Sequence, residues 1–193
     1  MLSRENPIRI CVGLVVKSLR LLGNLYRLRK LQSQGLQCSH STYINRKCTM
    51  IKPANINIGA NCYIDGKLYA LDRITIGDRT VVGEDVFLCT GSHDIDSVNF
   101  KLVTKPISIG SFVWIASGAT VLPGVNIGDC AVVGAMAVVA KNIPAGAVAV
   151  GNPARIIRTG RACPTEFDPI SLATIDWHTS FNRLRDSLRR KKK

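Results

Sequence analysis

The chain has 193 residues, with 26 Lys and Arg against 13 Asp and Glu for a formal charge of +13, and only 6% of its residues are aromatic. That length fits one domain with extensions and a sizeable core, and the low aromatic fraction suits a narrow body packed with aliphatics better than a globular core built on Phe and Trp. The charge sits at the ends, +6 in residues 1–34 and +6 in 155–193 against +1 between them; with no aromatic-interleaved basic face and no nucleic-acid motif, nucleic acid is not an expected partner.

From Ile10 to Val16 an apolar run is bracketed by Arg9 and Lys17. It is far shorter than the roughly 20 residues a membrane-spanning helix needs, and no small-residue cleavage site of a secretory signal follows it. A cytoplasmic protein is expected, with a peripheral place at the inner face of the membrane as the alternative. Read as a helix from about Pro7 to Leu31, the segment sets Leu14, Leu21, Leu22, Leu25 and Leu28 near one side and Lys17, Arg20, Arg27 and Lys30 on another, with Gly23-Asn24 weakening its middle. Two readings stay open for this extension, residues 1–34. It is an interfacial helix on an anionic membrane, or it is a helix packed on the side or end of the body that follows.

From Ile58 a six-residue period begins: Ile58, Ile64, Ala70, Ile76, Val82 and Leu88. It breaks for about fifteen residues and resumes as Ile109, Ile115, Val121, Ile127, Val133 and Val139, so that eleven of twelve positions are Ile, Val or Leu. Six matches neither the 3.6 of a helix nor the 2 of a simple strand; it is the signature of a parallel β-helix. Each hexad is expected to form one short strand and one corner, and three hexads one triangular turn of 18 residues. The aliphatic residue points into the axis, where its burial is worth about 1.5–3 kcal/mol. The residue after it, often Gly, Ala or Asp, sits at a bend where a Cβ is unwelcome. Tyr43-Ile44 and Met50-Ile51 read as a first, irregular coil, and the N-terminal segment as the cover of that end. The repeat domain is placed at 35–157.

Residues 94–108 interrupt the ladder and must loop out beside His93, on a rigid scaffold of the kind that often carries binding groups. Pro144, Gly151 and Pro153 end regular pairing. The C-terminal basic extension, 158–193, holds a short helix that Thr179 or Ser180 could cap, with Phe181, Leu184 and Leu188 at helical spacing. The seven cysteines, at 11, 38, 48, 62, 89, 130 and 163, are odd in number and form no CxxC pair, which reads most simply as reduced, packed thiols. The histidines at 40, 93 and 178 are scattered, and no metal site is expected.

The hexads, together with Thr-Gly-Ser-His-Asp at 90–94, Ile-Gly-Ser-Phe-Val-Trp-Ile-Ala-Ser at 109–117, Pro-Gly-Val-Asn-Ile-Gly-Asp at 123–129 and Gly-Asn-Pro-Ala-Arg at 151–155, resemble the hexapeptide-repeat acetyltransferases. The nearest resemblance is to the colanic-acid and capsular polysaccharide O-acetyltransferases, with maltose and galactoside O-acetyltransferases as relatives. The resemblance implies a left-handed parallel β-helix, a homotrimer, and acetyl-CoA lying in a groove between subunits; the handedness comes from it alone. It implies that His93 is the general base that takes a proton from an acceptor hydroxyl, chemistry an imidazole suits near neutral pH. The developing oxyanion then calls for a donor, most simply a backbone N–H. The acetyl-CoA contacts implied are Ser117, Ala135, Ala140, Lys141, Arg155 and Arg158. Small residues let the pantetheine arm lie against backbone, and cations meet the nucleotide phosphates.

Trp114 is expected to wall the groove or the subunit contact. The resemblance implies direct transfer, so Cys89 is expected to be a packed residue and not a nucleophile. For the acceptor, a sugar or a lipid-linked glycan, Asp65 and Asp72 are candidates, and Asp94 either orients the ring or caps the loop. The register of Ala70-Leu71-Asp72 departs from that of the galactoside and maltose enzymes. Two other functions share this architecture. A γ-type carbonic anhydrase needs three histidines on zinc, and a non-catalytic scaffold has no use for His93 together with the lysine and arginines.

Overall fold

The computed structural model describes residues 22–171. Expectations for the start of the helix at Pro7, for the C-terminal helix after Thr179, for Cys11 and for His178 lie outside the described residues. What the described chain forms is a parallel β-solenoid whose helical parts are minor: a helix over 22–33 and a single 3-10 turn at Pro53–Asn55.

Coil 1 comprises β1 (Gln37–Cys38), β2 (Tyr43–Ile44) and β3 (Thr49–Ile51). Coil 2 comprises β4 (Ile56–Ile58) and β5 (Tyr63–Tyr69), and coil 3 β6 (Ile74–Ile76) and β7 (Val81–Cys89). A hairpin, β8 (Gly91–His93) and β9 (Leu102–Thr104), leaves the body before coil 4 begins at β10 (Ile107–Ile109), β11 (Trp114–Ile115) and β12 (Thr120–Val121). Coil 5 holds β13 (Asn126–Ile127), β14 (Val132–Val133) and β15 (Val138–Val139); β16 (Val148–Val150) belongs to a last partial coil, against which β17 (Arg155–Arg158) turns back antiparallel.

Each coil lays its strands parallel on those of the next, making three faces. The first stacks β1, β4, β6, β10 and β13; the second runs from β2 through β5, β7, β11 and β14 to β16; the third from β3 through β5 and β7 to β12 and β15. Strand alternation sends every second side chain inward. The columns Ile58, Ile76, Ile109, Ile127 and Ile64, Val82, Ile115, Val133 are both in register and buried. The break in the period is equally plain: Ile76 pairs with Ile109, thirty-three residues on, whereas Ile58 to Ile76 and Ile109 to Ile127 are steps of eighteen.

One rung differs from the expectation. The third-face column runs Met50, Leu68, Leu88, Val121, Val139, so Leu68 holds the place that strict counting assigns to Ala70. The cause is a register shift between Ile64 and Gly66, opposite Val82 and Val86: coil 3 carries two more residues round that corner than coil 2. Gly66 permits the tight corner, since a Cβ there would lie 2.7 Å from the Val86 carbonyl oxygen. The single residue of the twelve that was not Ile, Val or Leu was the one out of register.

Glycines that follow an inward Ile are set by close approach of the neighbouring coil. A Cβ on Gly77 would come within 2.6 Å of the Ser111 nitrogen, and one on Gly110 within 2.7 Å of the Asp129 nitrogen. Side chains at the same corner lace the coils together. Asp78 Oδ1 accepts from Ala60 N at 2.7 Å, Ser111 Oγ from Asp78 N at 3.0 Å, and Asp129 Oδ1 from Ser111 N at 2.7 Å.

The helix over 22–33 covers the open end of coil 1. Leu28 is fully buried in the core, while Asn24 bridges the free edge of β2: its Nδ2 donates to Thr42 O at 3.2 Å and its Oδ1 accepts from Ile44 N at 3.0 Å. Arg27 donates to the carbonyls of Arg46 and Cys48, and Gln32 to that of Cys38. Buried backbone groups need partners, and here side chains supply them. Arg27 is therefore a capping residue instead of part of a basic face, and the expected apolar side is divided, with Leu28 inward and Leu22 and Leu25 exposed.

The cysteines divide as well. Cys48 and Cys62 are buried, and burial pushes both thiols up to about 11, as it pushes Cys38 to about 12. They are fillers, as expected. Cys130 and Cys163 form a disulfide, with Cα atoms 4.9 Å apart, which corrects the expectation of reduced thiols throughout. Thirty-three residues separate the two in sequence, and only the return of the chain after β17 brings them together.

Candidate active site

The hairpin β8–β9 leaves the body at the corner between the third face and the first. Thr90 anchors its base: the hydroxyl donates to Tyr69 O at 3.0 Å and accepts from Asp72 N at 2.9 Å. His93 ends β8 opposite Leu102, and its ring stacks on Phe100, centroids 4.6 Å apart at 10°. His93 Nδ1 lies 2.7 Å from the Phe100 carbonyl oxygen. A carbonyl only accepts, so Nδ1 carries the proton and Nε2 of the neutral ring keeps a bare lone pair. The side chain is exposed.

Asp94 holds the turn. Its Oδ1 accepts from Asp96 N at 3.1 Å, its carbonyl takes the Ser97 hydroxyl at 3.0 Å, and its amide donates to Lys101 O at 2.8 Å. Ring orientation thus comes from Phe100, a residue that the sequence pattern did not single out; an aromatic seven positions after a histidine is no signal until the hairpin register is known. Asp72 stands one coil above the hairpin at the same corner, its carboxylate accepting from Arg73 N at 2.7 Å.

Asp65 occupies the opposite edge of the third face. Only 7% exposed, it accepts from Asn45 Nδ2 at 2.8 Å, and the Tyr63 hydroxyl lies 3.4 Å away. Burial, with the charge of Glu84 next, holds its carboxyl above the ordinary value. Lys47 pairs with Glu84 nearby at 2.7 Å, and Lys67 with Asp85 at 3.5 Å.

Ser117 and Ala135 stand one coil apart on that same edge, both exposed, with Met136 N donating to Ser117 O at 3.0 Å. Ala140 and Lys141 lie at the corner below the hairpin, across the third face from them and likewise exposed. Arg155 and Arg158 mark the two ends of β17, opposite Val150 and Val148. One chain therefore spreads the predicted residues over two edges of one face and a terminal strand; it does not enclose them. Trp114 projects from the second face, 51% exposed.

Cys89 is half buried, its thiol 3.2 Å from Gly91 O. His40 lies on the turn between β1 and β2, away from the hairpin that carries His93. Among the described residues no three His, Cys, Asp or Glu gather as a metal ion would require, and no helix is long and apolar enough to cross a membrane.

Comparison with known proteins bears on the fold and the family. The family model described as bacterial transferase hexapeptide (six repeats) matches residues 106–141, which are coils 4 and 5. An Escherichia coli K12 protein named for colanic acid biosynthesis, the acetyltransferase WcaF, is 40% identical over 138 residues, spanning 69% of this chain and 76% of that one. Among solved structures, a Vibrio cholerae hexapeptide-repeat acetyltransferase complexed with acetyl coenzyme A superposes with a TM-score of 0.65 at 26% identity, covering 76% of this chain and 90% of that one. A galactoside acetyltransferase in complex with coenzyme A gives 0.62 at 28% identity, covering 76% and 82%. On the breadth of the WcaF match, joined to a solenoid whose coils follow the hexads, this chain belongs to the family of hexapeptide-repeat acetyltransferases.

Proposed function

We propose that the protein transfers an acetyl group from acetyl-CoA to a hydroxyl of a sugar or polysaccharide precursor, with His93 as general base. The observation that carries this reading is the bond from His93 Nδ1 to the Phe100 carbonyl, which leaves Nε2 as an exposed base on a hairpin at the edge of the repeat. Nε2 takes the hydroxyl proton as the oxygen bonds to the acetyl carbonyl carbon. The carbon–sulfur bond then breaks, and the imidazolium returns the proton to the departing thiolate. The Phe100 carbonyl stabilises the positive ring through the same hydrogen bond.

Support for the donor comes from the surface of coils 4 and 5 and of the last partial coil. Ser117 and Ala135 form an uncluttered file beside which a pantetheine arm can lie, and Lys141, Arg155 and Arg158 are exposed cations suited to phosphates. Because one chain leaves these groups on separate edges, the functional unit is a homotrimer in which a neighbour completes the groove. The outward file of the second face, Tyr63, Val81, Trp114 and Val132, is apolar, whereas that of the first, Asn57, Thr75, Ser108 and Asn126, is polar. Light scattering that returned about 21 kDa at active concentration would remove this part of the reading.

Asp72 and Asp94 beside the histidine, and Asp65 on the other edge, are the acceptor contacts proposed. A lipid-linked glycan fits the outer side of the capping helix, where Leu22, Leu25 and Tyr26 are exposed and Arg29 and Lys30 follow. That pattern suits peripheral contact with an anionic membrane. Co-sedimentation with anionic vesicles should weaken in high salt and on Leu22→Ser with Tyr26→Ser.

The deciding experiment is His93→Asn. Acetyl-CoA affinity and oligomeric state should hold, while turnover falls by about 10²–10⁴. Transfer at the parent rate removes His93 as the base. A panel of glycans with labelled acetyl-CoA identifies the acceptor.

A further inference from the structure

Past β17 the chain does not leave the body but climbs it. Arg161 N donates to Gly146 O at 2.9 Å and Arg161 Nη1 to Cys130 O at 2.6 Å; Cys163 is bonded to Cys130; and Arg79 Nη1 reaches Thr165 O at 3.3 Å. These contacts follow one corner, marked by the left-handed residues Arg79, Phe112 and Cys130 in coils 3, 4 and 5. The disulfide closes a loop that contains Ala135, Ala140, Lys141, Arg155 and Arg158, five of the six residues proposed above for acetyl-CoA. Three of these stand on coil corners, held by the ladder. Arg155 and Arg158 do not: their strand lies on β16 alone among the described strands, and Cys163 follows Arg158 by five residues.

We propose that the Cys130–Cys163 disulfide is a redox-controlled clamp that fixes β17, so that oxidation tightens and reduction loosens the grip of Arg155 and Arg158 on the phosphates of coenzyme A. The inference rests on the donor reading above. The oxidant is a low-molecular-weight disulfide. Cys163, half buried where Cys130 is 6% exposed, is the entry point. Its thiolate attacks the small disulfide, forming a mixed disulfide and releasing one small thiol. Cys130 sulfur then displaces the second small thiol, and the two protons lost by the protein end on the two small thiols. A dithiol reverses both steps. The buried Cys48 and Cys62 keep their protons at neutral pH and do not compete.

The test uses the full chain, equilibrated with oxidised glutathione or with a phosphine reductant. Peptide mapping reads the bond, calorimetry reads the affinity for coenzyme A, and hydrogen exchange reads the amides of 155–163 with no ligand present. Reduction should weaken coenzyme A binding about three- to tenfold, the penalty for a binding-competent strand that is populated only part of the time. It should leave binding of acetylpantetheine, which lacks the nucleotide phosphates, unchanged. Cys163→Ser should behave as the reduced protein under both conditions. Equal affinity and equal exchange in the two forms overturn the clamp, as does a peptide map with no Cys130–Cys163 bond after oxidation. If coenzyme A binds neither form, the donor reading falls and takes the grip on the phosphates with it, and the fixing of β17 by the disulfide then stands on faster exchange at 155–163 after reduction or falls without it.

Discussion

Coils 4 and 5 and coils 1 to 3 share one ladder and differ in almost everything outside it. The later coils are built from strands of two or three residues and corners rich in Gly, Ala, Ser and Asp, with steps of eighteen between them. The earlier ones carry the long strands β5 and β7, a register shift, a buried carboxylate and two ion pairs. The family model lies on the regular block alone. The difference teaches that the strict repeat supplies a common platform, here proposed for the donor, while departures from it give the molecule its individual chemistry.

The largest effect should come from the rung where the two blocks disagree. Leu68→Ala should lower stability by about 2–5 kcal/mol by chemical denaturation, as for other buried Leu. Ala70→Gly should lower it by no more than about 1 kcal/mol. The reverse order would return the column to strict hexads and dissolve the distinction between the blocks.

That pair of positions also shows what could be read in advance. Hexads give the axis, the faces and the place of the excursion, because an inward aliphatic is demanded at every rung whatever surrounds it. A corner that is two residues short leaves no such mark, since Gly66 and Ala70 are unremarkable in a repeat full of small residues. The same holds at the site. His93 stands out beside a break in period, but its partner is a backbone carbonyl, which has no sequence signature. Asn24, Arg27 and Gln32 look like helix surface until the edge of coil 1 is seen to need donors and acceptors, and the disulfide joins residues whose proximity depends on the turn back after β17.

A second prediction bears on how the irregular end is closed. Asn24→Ala leaves Ile44 N and Thr42 O without their side-chain partner and should cost about 1–3 kcal/mol. An exposed control such as Leu25→Ala should cost far less. Equal losses would mean that the helix adheres through general packing and that coil 1 needs no specific closure.

Phe100→Ala probes the hairpin between the blocks. The carbonyl remains, but the ring that stacks on His93 is lost, so turnover should fall about tenfold with acetyl-CoA affinity unchanged, the effect of a misplaced base. Phe100→Tyr, which keeps the stack, should restore most of it. Loss of affinity instead would extend the donor platform into the hairpin.

The smallest effect concerns Asp65. Its carboxyl is raised by burial, so the folded state holds that proton more tightly than the unfolded one. Its contribution is full below the unfolded pKa and lost as pH rises through the folded one. Melting temperature should therefore decline slightly above about pH 4 in the parent and be flatter in Asp65→Asn. Identical profiles would show that the earlier coils accommodate the charge as easily as the surface does.

Coils of a solenoid touch only their neighbours, so such a molecule comes apart by unzipping from whichever end is less firmly held. The helix over 22–33 gives coil 1 the second neighbour it would otherwise lack, through Leu28, Asn24, Arg27 and Gln32. Once the Cys130–Cys163 bond is reduced, unravelling is thereby directed to the far terminus. The coils that fold last and fray first are then those around β16 and β17, and a protease sampling partly opened molecules should cut there well before it reaches the histidine hairpin.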